Sequence, residues 1–282
     1  MTDRLRRILR RFPPATAAYE YWMRRDIEIL DAMPTYAPFS AGHPQVKSRL
    51  ALQAAQQTPE LLHQVAVASG LESLVPVSPE EFAGDDRDLA AEAELKALFD
   101  RYHSDKADRH DYHKVYSVLV RSLGADDPRI LEVGLGTNNE DVVSTMGAGG
   151  TPGASLRAFR DVLSKARVYG ADIDRRILFS EERIETFYVD QTDDAAVAGL
   201  ARELPDELDL VIDDGLHTPN ANLRILLLGM QKVRVGGWVV IEDIEPAMEA
   251  VWQVVRHLLP TGWDVHYVRA RGGDMFVMRR TA

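Results

Sequence analysis

The chain has 282 residues, 45% hydrophobic and 27% charged, which is the balance of a globular protein and excludes a disordered, collagenous or bilayer-spanning one. Its 33 basic and 44 acidic residues give a formal charge of −11, which argues against nucleic acid and anionic membrane as partners. Cysteine is absent, so disulfides, thiolate catalysis and cysteine-ligated zinc are excluded, and a cytoplasmic location is expected.

The start, Met1 to Phe12, is basic, with Leu5, Ile8 and Leu9 at helical spacing. That pattern predicts a short exposed amphipathic helix packing on its own domain, because no apolar stretch of signal-peptide length follows it. Helices are then predicted over 15–31, 46–57, 59–69 and 86–102, punctuated by Pro34, Pro38, Pro44 and Pro76. Ser78-Pro79-Glu80-Glu81 reads as a further helix start. Residues 1–100 are thus expected to form a helical N-terminal region, a cap or an oligomer interface, with residues 101–282 carrying the chemistry.

The rhythm changes after about residue 105. Apolar runs at Arg129–Val133, Ala166–Ile173, Ile184–Val189, Leu208–Ile212 and Gly237–Ile241 alternate with helical segments at 111–123, 153–165, 193–203, 218–233 and 246–259. Two last runs, Trp263–Val268 and Met275–Met278, form a terminal hairpin. This predicts an α/β fold with a doubly wound, mostly parallel, seven-stranded sheet. Ligands in such sheets bind beyond the carboxyl ends of the strands, so the residues there are the candidates.

The first strand ends Glu132-Val133-Gly134-Leu135-Gly136-Thr137-Asn138-Asn139. Gly134 and Gly136 allow a tight turn and a close approach to a ligand. A dinucleotide fingerprint would need a third glycine where Asn139 stands, which counts against a nicotinamide oxidoreductase. Glu132, a carboxylate inside an apolar strand, needs a donor, and the charged amine of a bound amino acid would serve. Asp172, after the second strand, sits where a carboxylate accepts from ribose hydroxyls, while Asp174 fits a helix cap better. Asp190 and Gln191 follow the third strand, completing an adenosyl site without a pyrophosphate clamp.

On these residues the chain resembles the class I S-adenosylmethionine-dependent methyltransferases, a Rossmann-like group. Glu132-x-Gly134-x-Gly136 is similar to their first motif and Asp172 to their ribose acid, with Asn138 in place of the usual third glycine. The resemblance implies S-adenosylmethionine as cofactor, held by Glu132, Gly134, Gly136, Asn138, Asp172, Asp190, Gln191 and Asp213.

The fourth strand ends Asp213-Asp214-Gly215-Leu216-His217 and the fifth Glu242-Asp243. Strands lie about 4.8 Å apart, so four carboxylates crowd one corner and call for a proton or a hard cation such as Mg²⁺. His217 is placed to take a proton from a hydroxyl. The two motifs resemble those of the metal-dependent macrolide sugar O-methyltransferases of the macrocin and mycinamicin type. Ser104-Asp105-Lys106, His110 and Tyr112 also resemble the entry to their catalytic domain. The resemblance implies Asp214, Glu242 and Asp243 as metal ligands, His217 with Asp214 as catalytic, and a sugar-bearing natural product as acceptor. Asp213 is second to the metal or faces the cofactor. A metal-dependent catechol or phenol methyltransferase would use the same corner, and a non-catalytic cofactor-binding subunit is the reading from another class. His103, His110 and His113 are read as surface or substrate-entry residues, and Trp238, Trp252 and Trp263 as core. A homo-oligomer is a further expectation from the resemblance.

Overall fold

A computed structural model describes residues 13–124 and 126–282. The expected basic helix at Met1 to Phe12 lies outside the described residues. The chain divides into two compact units, Met1–Leu71 and Glu72–Ala282.

In the first unit, α1 (Pro13–Ala32) and α2 (Pro44–Ala68) pair, with Ser48 Oγ donating to the buried Asp26 Oδ1 at 2.9 Å. The two helices expected over 46–57 and 59–69 are one helix that runs through Pro59. A proline removes one backbone bond but does not have to end a helix when good helix formers lie on both sides. Among the described residues no helix is long and apolar enough to cross a membrane.

The second unit begins with α3 (Pro79–Ala83), α4 (Leu89–Tyr102) and α5 (Tyr112–Ser122). Ser78 caps α3 in a reciprocal box with Glu81, as its sequence predicts, but the helix stops after five residues at Gly84, whose φ is 49°. α4 belongs to this unit because Leu95 and Phe99 bury against Phe159, the two phenyl rings meeting edge to face at 5.6 Å.

The sheet follows: β1 (Arg129–Val133), β2 (Arg167–Asp172), β3 (Ser180–Glu181), β4 (Ile184–Tyr188), β5 (Leu208–Asp213), β6 (Val233–Ile244), β7 (Trp263–Arg269) and β8 (Asp274–Arg280). The connecting helices are α6 (Ala154–Val162), α7 (Asp194–Glu203), α8 (Pro219–Lys232) and α9 (Glu249–Leu258). The order is β3-β4-β2-β1-β5-β6-β8-β7, with β4, β2, β1, β5 and β6 parallel and β8 and β7 a terminal antiparallel hairpin. The seven expected strands are all present. The eighth, β3, is a two-residue edge strand too short to read as an apolar run.

Chain direction across the sheet reverses between β1 and β5, which opens a crevice beyond their carboxyl ends. Each face has its own core, one around Ile130, Phe159, Ile212 and Val240, the other around Leu131, Val211, Val239 and Trp252. Trp238 and Trp252 are core residues as expected, and Trp263 is half-buried.

Candidate active site

Successive side chains along a strand point to opposite faces, and this alternation decides which acid meets which partner. Glu132 and Glu242 fall on the face of Ile130, Ile212 and Val240, whereas Asp213 falls on the other. On the first face stands Lys106, only 2% exposed, carried by the turn that follows α4. Its Nζ lies 2.6 Å from Asp214 Oδ2 and 3.1 Å from Glu132 Oε1, and it is in close contact with Glu242 Oε2. Tyr116 donates its hydroxyl to Glu242 Oε1, and Ser155 Oγ donates to Glu132 Oε2 at 2.7 Å. The donor that a strand carboxylate requires is therefore supplied by the chain itself, so Glu132 faces Lys106 rather than an open cofactor cavity. Burial works against the Lys106 charge, but Asp214, Glu242 and Glu132 override it and hold its pKa well above the usual lysine value. Burial also raises Glu132 and Glu242.

On the opposite face Asp213 is fully buried. Its two oxygens accept from Gln191 Nε2 at 2.7 Å and Asn222 Nδ2 at 2.9 Å. Burial pushes its carboxyl up to about 6. Gln191 Oε1 also accepts from Leu216 N at 2.9 Å. Asp213 is thus an anchor for the segment that carries Asp214 and His217, and it reaches no ligand cavity. Among the described residues it lines neither cavity, its oxygens being taken up by Gln191 and Asn222.

Two adjoining cavities lie beyond the strand ends. The first, about 510 Å³, is lined by Asp172, Ile173, Asp190, Gln191 and Leu216, with Val142 and Val143 from the loop after β1. Asp172 accepts from Leu135 N at 2.7 Å and from Asp174 N at 2.8 Å, which pins the turn after β1 to the end of β2. Asp174 caps the turn at 175–177 as expected, and Arg176 first among its partners holds its carboxyl well below the usual range. Gly134 has φ 99°, and a Cβ there would lie 2.0 Å from Asp214 O. Gly136 also sits in this turn, where a side chain would meet Met146. Asn138 is exposed and lines neither cavity, and Asn139 instead donates to Asp174 Oδ2 at 2.7 Å.

The second cavity, about 450 Å³, is lined by Asp105, Arg109, His110, His217, Asp243 and Gly273 among others. Ser144 lines both cavities, and Gly215-Leu216 face the first while His217 faces the second. Ligand atoms of Asp214, His217 and Asp243 lie within 4.8 Å of one another, so carboxylate oxygens and an imidazole converge there. Glu242, expected as the third carboxylate of this group, is 1% exposed and turned inward to Lys106 and Tyr116. His217 Nε2 is 3.7 Å from Asp243 Oδ2, and its Nδ1 is buried without a hydrogen bond. Tyr112 donates to Asp243 Oδ1 at 2.6 Å, and His110 Nδ1 stands 3.3 Å from the same oxygen. His217 (φ 49°) and Asp243 (φ 53°) both hold the left-handed backbone, a cost found where the surroundings impose a side-chain direction. Of the other histidines, His103 is exposed, and His113 is buried rather than at the surface. A larger hollow of about 760 Å³ at the amino ends of β2 and β4 brings together no comparable set of groups.

Lys106, Tyr116, Ser155 and Asn222 were not assigned roles by sequence reasoning. The Ser104-Asp105-Lys106 motif marked the place, but nothing local tells that Lys106 reaches acids 108 and 136 residues away.

No family model matches the chain. It is similar to the 8-demethyl-8-alpha-L-rhamnosyl tetracenomycin-C 2'-O-methyltransferase of Streptomyces olivaceus, 28% identical over 171 residues, 61% of this chain and 42% of that one. It is also similar to the demethylmacrocin O-methyltransferase of Streptomyces fradiae, 31% identical over 157 residues, 55% of this chain and 37% of that one. The chain spans less than half the length of these curated relatives. Among solved structures, the MycE methyltransferase from the mycinamycin biosynthetic pathway, in complex with Mg and SAH, superposes with a TM-score of 0.53. That match is 23% identical and covers 67% of this chain and 55% of the other.

Proposed function

We propose that this chain, which has the class I S-adenosylmethionine-dependent methyltransferase fold and resembles macrolide sugar O-methyltransferases in sequence, is a Mg²⁺-assisted O-methyltransferase. Its acceptor is a hydroxyl of a sugar or glycosylated small molecule, in natural-product biosynthesis in the cytoplasm. The observation that carries this reading is the pair of adjoining cavities divided by Gly215-Leu216-His217, one suited to an adenosyl group and the other bearing the Asp214–His217–Asp243 group.

The residues suit both ligands. Asp172 and Asp190 offer carboxylates to ribose hydroxyls, and Ile173, Val142 and Leu216 offer apolar walls to a base. The convergent carboxylates of Asp214 and Asp243 are hard oxygen donors of the kind Mg²⁺ takes. S-adenosylmethionine supplies the methyl group, and a bound Mg²⁺ would lower the pKa of the acceptor hydroxyl. His217 Nε2, the ring nitrogen that reaches the cavity, takes the hydroxyl proton, and Asp243 beside it stabilises the imidazolium. The Asp213–Gln191–Asn222 anchor keeps the Asp214–His217 segment in register with both cavities, and positioning of this kind supplies much of the acceleration. The helical N-terminal region keeps its proposed role as a cap or an oligomer interface.

Calorimetric titration of S-adenosylhomocysteine into metal-free protein, repeated with Mg²⁺ and with Asp214→Asn, tests the reading. We expect micromolar cofactor binding in both proteins and a separate Mg²⁺ site weakened in the variant. Absence of cofactor binding would overturn the proposed reaction.

A further inference from the structure

We propose that Lys106 is a built-in counter-ion, a positioning residue that fills from within the chain the place of an inner cation and leaves the acid corner room for a single divalent ion. This rests on the proposed outer metal site, but its test uses neither cofactor nor acceptor.

Three carboxylates surround one ammonium. Glu132 and Glu242 are buried completely or nearly so, and Asp214 is half-buried. They come from β1, the end of β5 and β6, three neighbouring strands of the sheet. An ammonium has three donors and no acceptor, and here it donates to Asp214 and Glu242 and forms an ion pair with Glu132 Oε1 at 3.1 Å. Without it, buried acids at this spacing could not all keep their charge unless another cation entered.

The position of Nζ is determined by the backbone around it. His103 ends α4 in the left-handed conformation, Ser104 N donates to Phe99 O at 2.9 Å, and Tyr112 N donates to Lys106 O at 2.8 Å. The lysine is therefore held at both ends and works as a staple across three strand ends. Its grip on Asp214 has a consequence for the outer site. Lys106 occupies Oδ2, while Oδ1 has no hydrogen-bond partner among the described residues and remains for a ligand. One face of the corner is closed by the lysine and the other stays open toward His217 and Asp243.

The test is Mg²⁺ calorimetry together with thermal denaturation of the full chain, in EDTA and in Mg²⁺. The wild type is expected to take up one equivalent of Mg²⁺. Lys106→Met is expected to melt about 5–10 °C lower in EDTA, to recover most of that loss in Mg²⁺, and to bind a second equivalent. Lys106→Arg, which keeps the charge, should remain at one equivalent. If Lys106→Met is unfolded in EDTA, refolding by circular dichroism on addition of Mg²⁺ supports the proposal, and failure to refold overturns it. A Glu132→Gln/Lys106→Met pair, with one carboxylate fewer, should be less metal-dependent than Lys106→Met alone. A folded Lys106→Met that binds one equivalent, and whose melting temperature Mg²⁺ raises no more than it raises that of the wild type, would overturn the counter-ion role. That failure is distinct from failure of the proposed reaction, which would show as wild-type protein unable to bind S-adenosylhomocysteine.

Discussion

The two sides of the crevice are built from different materials. On the β1–β2 side the geometry is made by backbone: Gly134 turns where no Cβ fits, and each oxygen of Asp172 accepts one backbone N–H while the residue still lines the first cavity. On the β5–β6 side it is made by side-chain charge, with Lys106 shared among three carboxylates and Tyr116, Tyr112 and the amides of Gln191 and Asn222 each assigned to a particular carboxylate oxygen. A backbone cradle tolerates little change in shape, whereas a charge network tolerates shape but not a change of charge. The first suits a ligand of constant form, and the second suits proton and cation chemistry.

Substitutions on the two sides should therefore separate cleanly. The largest effect is expected from His217→Ala, which should lower turnover by about 10²–10⁴-fold while S-adenosylhomocysteine affinity stays unchanged by calorimetry. Equal loss of turnover and cofactor affinity would break the distinction. Gly134→Ala comes next, placing a Cβ 2.0 Å from Asp214 O at φ 99°. It should cost about 3 kcal/mol or more in denaturant unfolding and weaken cofactor binding with or without Mg²⁺. Asp243→Asn removes a charged oxygen from the corner and should weaken Mg²⁺ binding at least about tenfold, with cofactor binding in metal-free protein unaffected.

The smallest effect concerns pH. Burial raises the Asp213 carboxyl in the folded chain to about 6, above its unfolded value near 4, so its contribution is full below about pH 4 and fades as pH rises through 6. The melting temperature of Asp213→Asn relative to wild type should accordingly shift in the variant's favour between pH 4 and pH 7. A difference constant with pH would mean that Asp213 is not held in a desolvated site.

Much of the fold could be read in advance. Short apolar runs separated by helical segments located seven of the eight strands, since a strand covered on both faces is apolar throughout, and only the two-residue β3 escaped. The Asp213-Asp214-Gly215-Leu216-His217 and Glu242-Asp243 motifs marked the right strand ends. What could not be read was the partner of each acid. Asp213 and Asp214 are adjacent in sequence, yet the pleat sends one to Gln191 and Asn222 and the other to Lys106. Glu242 and Asp243 divide in the same way, one inward to Lys106 and Tyr116, the other to the cavity. The packing of Leu95 and Phe99 could not be read either, because they show an ordinary helical spacing whose partner, Phe159, is remote in sequence.

The alternation of the seven longer strands with the helices between them and the two acidic strand ends were determined by the sequence alone, because hydrophobic periodicity and turn chemistry are local. The lysine among the acids, the inward turn of Glu242 and the meeting of Asp214, His217 and Asp243 were decided only in the tertiary structure. Charges separated by a hundred residues have no local signature, and only the folded sheet sets which face each one occupies.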